Sequence, residues 1–178
     1  MNSIQLNHIL SNDPFVKKSF AGVYAIDQLP SVTVKNYPKS FVINTDPKTL
    51  PGTHWIAVYF TDKMNGEFFD SYGQHPNDYD LNFIDFIERN ALEWTYNEKR
   101  LQSPFSTVCG QYCIYYLVNR CRLIPLNTIV NRFSIDTLRN DKIVDDFVKK
   151  HYRKAYPSVK QQANFVLSQI SRRQMYKK

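Results

Sequence analysis

The three cysteines crowd into one stretch of the chain, at Cys109, Cys113 and Cys121, and their positions are not chemically equivalent. Cys109 is followed by Gly110 and then by an apolar, tyrosine-rich run that reads as a helix. A thiol at a helix N-terminus lies against unsatisfied backbone N–H groups and the positive end of the helix dipole. It ionises more readily there and becomes a nucleophile. Ser106 or Thr107 is expected to cap this helix, and Gly110 to let a substrate backbone approach the sulfur. Cys113 falls one turn deeper and Cys121 near the helix end. Both read as reduced thiols packed like small apolar residues.

A nucleophilic thiol needs a base, a group that orients the base and a donor for the oxyanion. Of the four histidines, His8 belongs to an N-terminal helical stretch, His75 to a loop and His151 to a basic C-terminal region. His54 instead opens HWIAVYF, a β-branched and aromatic run, so a sheet would hold its backbone while the ring faces a cleft. Asn65-Gly66 predicts a hairpin turn. Asp70 closes the strand after it, and an antiparallel hairpin returns that end toward His54. A carboxylate there would fix the imidazole tautomer and stabilise the imidazolium. Gln102, in the loop that leads to Cys109, can donate to an oxyanion beside the cysteine's own N–H. Each residue alone is more often structural: a strand-edge histidine, a turn aspartate, a solvated glutamine, a core cysteine. The ordered set is what selects acyl transfer.

The elements that must carry these groups follow from periodicity. Residues 4–10 predict a short helix ended by Asn12, Asp13 and Pro14. Strands are predicted at 20–25, 40–44, 54–60, 66–70 and 93–101, and a helix from Asp80 to Leu92, with Asp78 or Asp80 as its cap. Beyond Arg122, segments 126–133, 136–152 and 159–172 have helical spacing. The fold class is α+β: a small, mainly antiparallel sheet packed by helices. The expected organisation is one domain over 1–178 with a basic helical C-terminal region from about 139.

Composition narrows the function classes. The chain has 178 residues, 43% of them hydrophobic and only five of them glycine, which supports a packed core. No stretch reaches the roughly 18–20 apolar residues of a membrane span, and the N-terminus lacks the pattern of a secretory signal. The cysteine spacing C-x3-C-x7-C, without a nearby histidine, does not fit zinc, and no metal is expected. The net charge of +7 comes entirely from the end of the chain: residues 1–138 carry 12 Lys and Arg against 13 Asp and Glu, and residues 139–178 carry 11 against 3. A surplus of this kind suits a polyanion. Lys149, Lys150, Arg153 and Lys154 are the expected contacts to a DNA phosphate backbone.

Three segments, GTHW at 52–55, FFDSYG at 68–73 and QSPFSTVCGQYC at 102–113, resemble the adenovirus maturation proteases, the adenain family. They also resemble its relatives from adenovirus-like mobile elements and other double-stranded DNA viruses. The segment 138–156 is similar to that family's C-terminal helix. The resemblance implies the adenain and ubiquitin-like-protease fold, with Cys109 as nucleophile, His54 as base, Asp70 as its orienter, Gln102 as oxyanion donor and Trp55 packed against the histidine and lining the cleft. The acid is aspartate here, where the best-known family member has glutamate. The implied activity is a cysteine endopeptidase that cleaves viral capsid or core precursors as a monomer, inside the virion and the infected cell, in the host nucleus, with no membrane partner. A short viral peptide and double-stranded DNA are the implied activators. The cysteine that anchors that peptide in human adenovirus enzymes has no counterpart between Asp70 and Gln102. The alternative within the same catalytic core is a deconjugase acting on a ubiquitin-like modifier.

Overall fold

The computed structural model describes residues 1–152, so the helix expected at 159–172 lies outside them. In chain order the elements are helix α1 (Ser3–Asn12), strand β1 (Phe20–Ala25), a 3-10 helix (Ile26–Ser31), β2 (Lys39–Asn44), β3 (Trp55–Phe60), β4 (Asn65–Phe69) and α2 (Asn82–Asn90). They continue with β5 (Glu93–Tyr96), α3 (Cys109–Arg120), α4 (Leu126–Val130) and α5 (Thr137–His151).

Five strands form one sheet in the order β1-β2-β3-β4-β5. The three central strands pair antiparallel, and each edge strand pairs parallel with its neighbour. Parallel pairs need a crossover. The 3-10 helix supplies one between β1 and β2, and α2 supplies the other between β4 and β5. Both pack on the same face, where Ile26, Leu29, Phe83, Phe86 and Ile87 meet Phe41, Val58, Phe60 and Phe68. The opposite face receives α1, α3, α4 and α5 around Val42, Ala57, Tyr59 and Phe69. With both faces covered, β2 and β3 need apolar residues at nearly every position, which explains why FVI and IAVYF run continuously instead of alternating.

Helix α3 is the centre of the second layer. Every residue from Cys109 to Asn119 is buried, as expected of a helix apolar on all sides. Tyr116 stacks flat on Phe69 of β4, with ring centroids 4.4 Å apart. Its hydroxyl and the Arg120 guanidinium both reach the Glu67 carboxylate. These contacts fix α3 against the hairpin that brings the acid to the site.

The hairpin turn differs from expectation. It lies before Asn65: the Asp62 carboxylate accepts the N–H groups of Met64 and Asn65, an aspartate-built turn. Asn65 and Gly66 already belong to β4, with Gly66 opposite Phe60. Gly66 serves packing there. A β-carbon on it would stand 3.1 Å from Ala91 Cβ and 3.3 Å from the Phe60 ring. At the start of α2 the N-cap is Leu81, with no side-chain cap, so neither Asp78 nor Asp80 caps the helix as expected; the Asp80 carboxylate accepts the Asn82 N–H in the turn that enters it.

Candidate active site

β3 begins one residue after His54, and β4 ends one residue before Asp70. The observed register sets Phe69 opposite Ala57. The acid therefore stops short of the histidine along the strand, and its side chain spans the gap. His54 Nε2 lies 2.6 Å from Asp70 Oδ1, with both side chains buried. The carboxylate is also held by the Tyr72 and Gln74 N–H groups and the Tyr79 hydroxyl, each at 2.9 Å. Asn97 grips its backbone by accepting the Asp70 N–H and donating to the Asp70 carbonyl. A carboxylate with this many donors is held in one orientation.

The other ring nitrogen, Nδ1, is left free of Asp70, and Cys109 lies close enough for imidazole and thiol to shift one another's ionisation. Burial opposes the charged form of both groups, and the pairing outweighs it. The His54 imidazolium is held from its ordinary 6.5 up to about 9 by Asp70 and Cys109. Cys109 is lowered by His54 and by the backbone N–H groups of Trp55 and Gly110, which point at the sulfur. Thiolate and imidazolium thus stabilise one another, and the pair titrates as a unit.

Neither Ser106 nor Thr107 caps α3, as the sequence had suggested. The N-cap is Val108, with no side-chain cap, so the first amides of the helix stay directed at the thiol instead of at a hydroxyl. Gly110 also differs from expectation. A β-carbon there would sit 3.2 Å from Met1 Cβ and 3.5 Å from Leu6 Cδ2, so the space it leaves is taken by the N-terminal segment.

Gln102 is fully buried beside the pair. Its Oε1 accepts from Ser71 Oγ at 2.6 Å, and its Nε2 donates to the Ser106 carbonyl at 3.0 Å. The remaining Nε2–H faces the Tyr72 hydroxyl at 3.4 Å, too long for a strong bond. An amide fixed at both ends with one weakly engaged N–H suits an oxyanion donor. Helix α5 braces this loop from behind: Asn140 Nδ2 donates to the Leu101 carbonyl, and the buried Asp141 carboxylate faces the Ser103 N–H and the Tyr112 hydroxyl.

Trp55 lines a cavity of about 440 Å³ with Met1, Tyr24, Leu50 and Gly52. It does not stack on the histidine. Its indole N–H donates to the Met1 carbonyl at 3.2 Å, and the rings stacked on His54 are Tyr72, at 4.6 Å between centroids, and Tyr79, at 6.2 Å. Sequence reasoning missed both tyrosines, Ser71 and Asn97. The one available signal was the tyrosine-bearing turn segment directly after Asp70.

Of the basic residues expected on DNA, Lys149 pairs with Asp145 on α5, as Lys142 does with Asp146. Arg153 and Lys154 lie outside the described residues. No group of three His, Cys, Asp or Glu side chains among the described residues could hold a metal ion, and no described helix is long and apolar enough to cross a membrane.

A thiol opening a buried helix, in line with an imidazole and a carboxylate from the neighbouring hairpin, is the arrangement of a cysteine peptidase. The pattern of the adenovirus endoprotease family matches residues 20–161, and the chain belongs to that family. It is 29% identical to the cysteine protease S273R of African swine fever virus over 61% of this chain and 44% of that protein. It is 27% identical to the protease of bovine adenovirus C serotype 10 over 43% of this chain and 45% of the relative. With the bovine adenovirus 4 protease the identity is 26%, over 64% and 61%. The chain thus spans about half the length of the curated relatives it matches. Among solved structures, the African swine fever virus pS273R protease superposes with a TM-score of 0.57 at 16% identity, covering 81% of this chain and 66% of that one. The central domain of the Legionella pneumophila protein Lpg1148 gives 0.50 at 14%, covering 88% and 97%. These two likenesses show the shared fold.

Proposed function

We propose that this chain is a cysteine endopeptidase that cleaves viral structural precursor proteins during particle maturation. The observation that carries the reading is the buried His54–Asp70 pair at 2.6 Å, with the Cys109 thiol at the start of α3 electrostatically coupled to its imidazole. The Cys109 thiolate attacks the scissile carbonyl carbon, and the oxygen takes the negative charge beside Gln102 Nε2–H and the Cys109 N–H. His54 gives its proton to the departing amine as the C–N bond breaks, leaving a thioester on Cys109. Neutral His54 then takes a proton from water as the water attacks the thioester. The carboxylic acid leaves, and the thiolate is restored. Asp70 holds the ring so that Nδ1 faces sulfur in both steps.

The test is cleavage of capsid or core precursors, and of peptides spanning their junctions, by wild type and by Cys109→Ala. Cleavage by wild type and none by a folded Cys109→Ala supports the reading; equal cleavage by both sinks it. Rapid labelling by a ubiquitin-like modifier bearing a C-terminal electrophile, with precursors left intact, would give the site to deconjugation instead. DNA and a short viral peptide as activators belong to the same proposal, supported by family membership. Adding each to the isolated chain should raise the turnover number if it does activate. DNA bound through Lys149, Lys150, Arg153 and Lys154 would dissociate steeply with salt.

A further inference from the structure

One residue meets every member of the proposed reacting set without belonging to it: Tyr72. Its N–H donates to the Asp70 carboxylate at 2.9 Å. Its ring stacks on His54, with centroids 4.6 Å apart and an interplanar angle of 26°. Its hydroxyl oxygen lies 3.4 Å from Gln102 Nε2. Cys109 is near enough that its negative charge raises the phenol, second only to burial. The Arg100 guanidinium covers the ring at 5.3 Å from its centroid, and its Nε donates to the Gln102 carbonyl at 3.3 Å. The phenol is therefore held from the histidine, the glutamine and the loop between them.

Gln102 alone has little to offer a substrate oxygen. It is fully buried, its Oε1 is taken by Ser71, and one N–H is taken by the Ser106 carbonyl. Tyr72 is only half-buried, and it lines a cavity of about 460 Å³ together with His54, Thr45, Thr53 and Tyr79. Its hydroxyl hydrogen meets no acceptor among the described residues. The phenol also keeps that hydrogen: burial first, then the Cys109 charge, hold it above its ordinary 10, against the opposing Arg100. A phenol oxygen and an amide nitrogen 3.4 Å apart are barely bonded to each other. They leave room for one further oxygen at about 3 Å from each, the distance at which an oxyanion is held.

We infer that Tyr72 is a further catalytic residue, whose hydroxyl donates to the oxyanion beside the Gln102 amide. This rests on the peptidase reading. As the Cys109 sulfur bonds to the carbonyl carbon, the C=O π pair moves onto the oxygen, and the Tyr72 O–H donates to that oxygen without releasing its proton. When the carbonyl re-forms and the C–N bond breaks, the same hydrogen bond weakens again. No proton is transferred, so the phenol enters and leaves the step unchanged.

The experiment compares wild type with Tyr72→Phe, which keeps the ring against His54 and Arg100 and removes only the O–H. Three quantities are measured. The first is kcat and KM on a peptide spanning a cleaved precursor junction. The second is inhibition by the same acyl half ending in an aldehyde, whose oxygen takes the oxyanion position once sulfur adds to it. The third is alkylation of Cys109 by iodoacetamide, which displaces iodide and forms no oxyanion. Tyr72→Phe should lower kcat by about ten- to a hundredfold, the lower end of what one oxyanion donor supplies, with KM within about twofold. It should weaken the aldehyde by a similar factor and leave the alkylation rate unchanged. A kcat within about twofold of wild type overturns the assignment, and so does a lowered kcat with undiminished aldehyde affinity. Alkylation slowed as much as turnover also overturns it, since the loss would then lie in the thiolate–imidazolium pair. If wild type cleaves no junction peptide, the peptidase reading itself has failed, and the donor falls with it.

Discussion

Cys109 and Cys113 lie one helical turn apart on α3, and both are buried, yet their thiols are pushed in opposite directions. Cys113 is raised well above its ordinary value, first by burial and then by the negative charges of Cys109 and Asp70. Cys109 meets the same opposing burial and is nevertheless lowered. The difference lies first in His54, whose imidazole acts on Cys109 and lowers it. One residue of β3 adds to it: Trp55 turns its N–H to the sulfur of Cys109 and its carbonyl to Cys113, whose thiol donates to it at 3.3 Å. A donor stabilises thiolate, and an acceptor requires the thiol. Reactivity on this helix is set by the partner each sulfur meets, the imidazole before the backbone dipole, and depth does not decide it.

The largest expected effect tests that contrast directly. Cys109→Ala should abolish turnover, and His54→Ala should come close to abolishing it. In His54→Ala, alkylation of Cys109 by iodoacetamide at neutral pH should slow toward the rate of Cys113; an unchanged rate would mean that the helix end alone activates the thiol. Asp70→Asn should lower kcat by about 10²–10⁴, the scale seen when a triad acid is neutralised. It should also move the alkaline limb of the rate profile down.

In wild type that limb falls near pH 9. The thiolate–imidazolium pair needs His54 protonated, so activity is kept below and lost as pH rises through about 9. The acid limb follows the lowered Cys109 thiol. The folding contribution of His54 has the same sign: its pKa is raised on folding, so the contribution is fully present below 6.5 and lost as pH rises through about 9. A rate profile flat from pH 7 to 11 would exclude the ion pair.

Gln102→Ala should cost about 10²–10³ in kcat with little change in KM. Asp141→Ala leaves the buried Ser103 N–H short of a partner, while the Tyr112 hydroxyl keeps the Leu101 carbonyl, at a cost of about 1–3 kcal/mol in stability measured by denaturant. The smallest effect belongs to Cys113→Ala: kcat within about twofold of wild type, and about 1 kcal/mol lost from the removed sulfur contact.

The contrast between the cysteines was partly legible in the sequence. A cysteine followed by glycine at the head of an apolar run could be placed at a helix start, and His54 and Asp70 could be placed at strand ends, because period and turn chemistry are local properties. Locating the turn at Asn65-Gly66 was an error of a few residues that did not change which strand ends meet, because the hairpin is antiparallel either way. The cap on α3 was misjudged, since a serine or threonine in the right place need not turn toward the helix. Wholly illegible were the groups that reach the site from afar in sequence: Asn97 on the Asp70 backbone, Tyr72 and Tyr79 on the ring, and Asn140 and Asp141 behind Gln102. Their partners are chosen by tertiary packing, which leaves no period in the chain.

The brace from α5 has a consequence in time. Histidine, acid, glutamine and cysteine all precede Asn140 and Asp141, so a chain emerging from the ribosome carries its entire proposed reacting set before the helix that braces Gln102 exists. Whatever electrostatics the thiol acquires from β3 and α3, the loop of Gln102 has Ser71 to hold it early and gains Asn140 and Asp141 only afterwards. Birth order alone leaves that second anchor missing until the last described helix has folded onto the body.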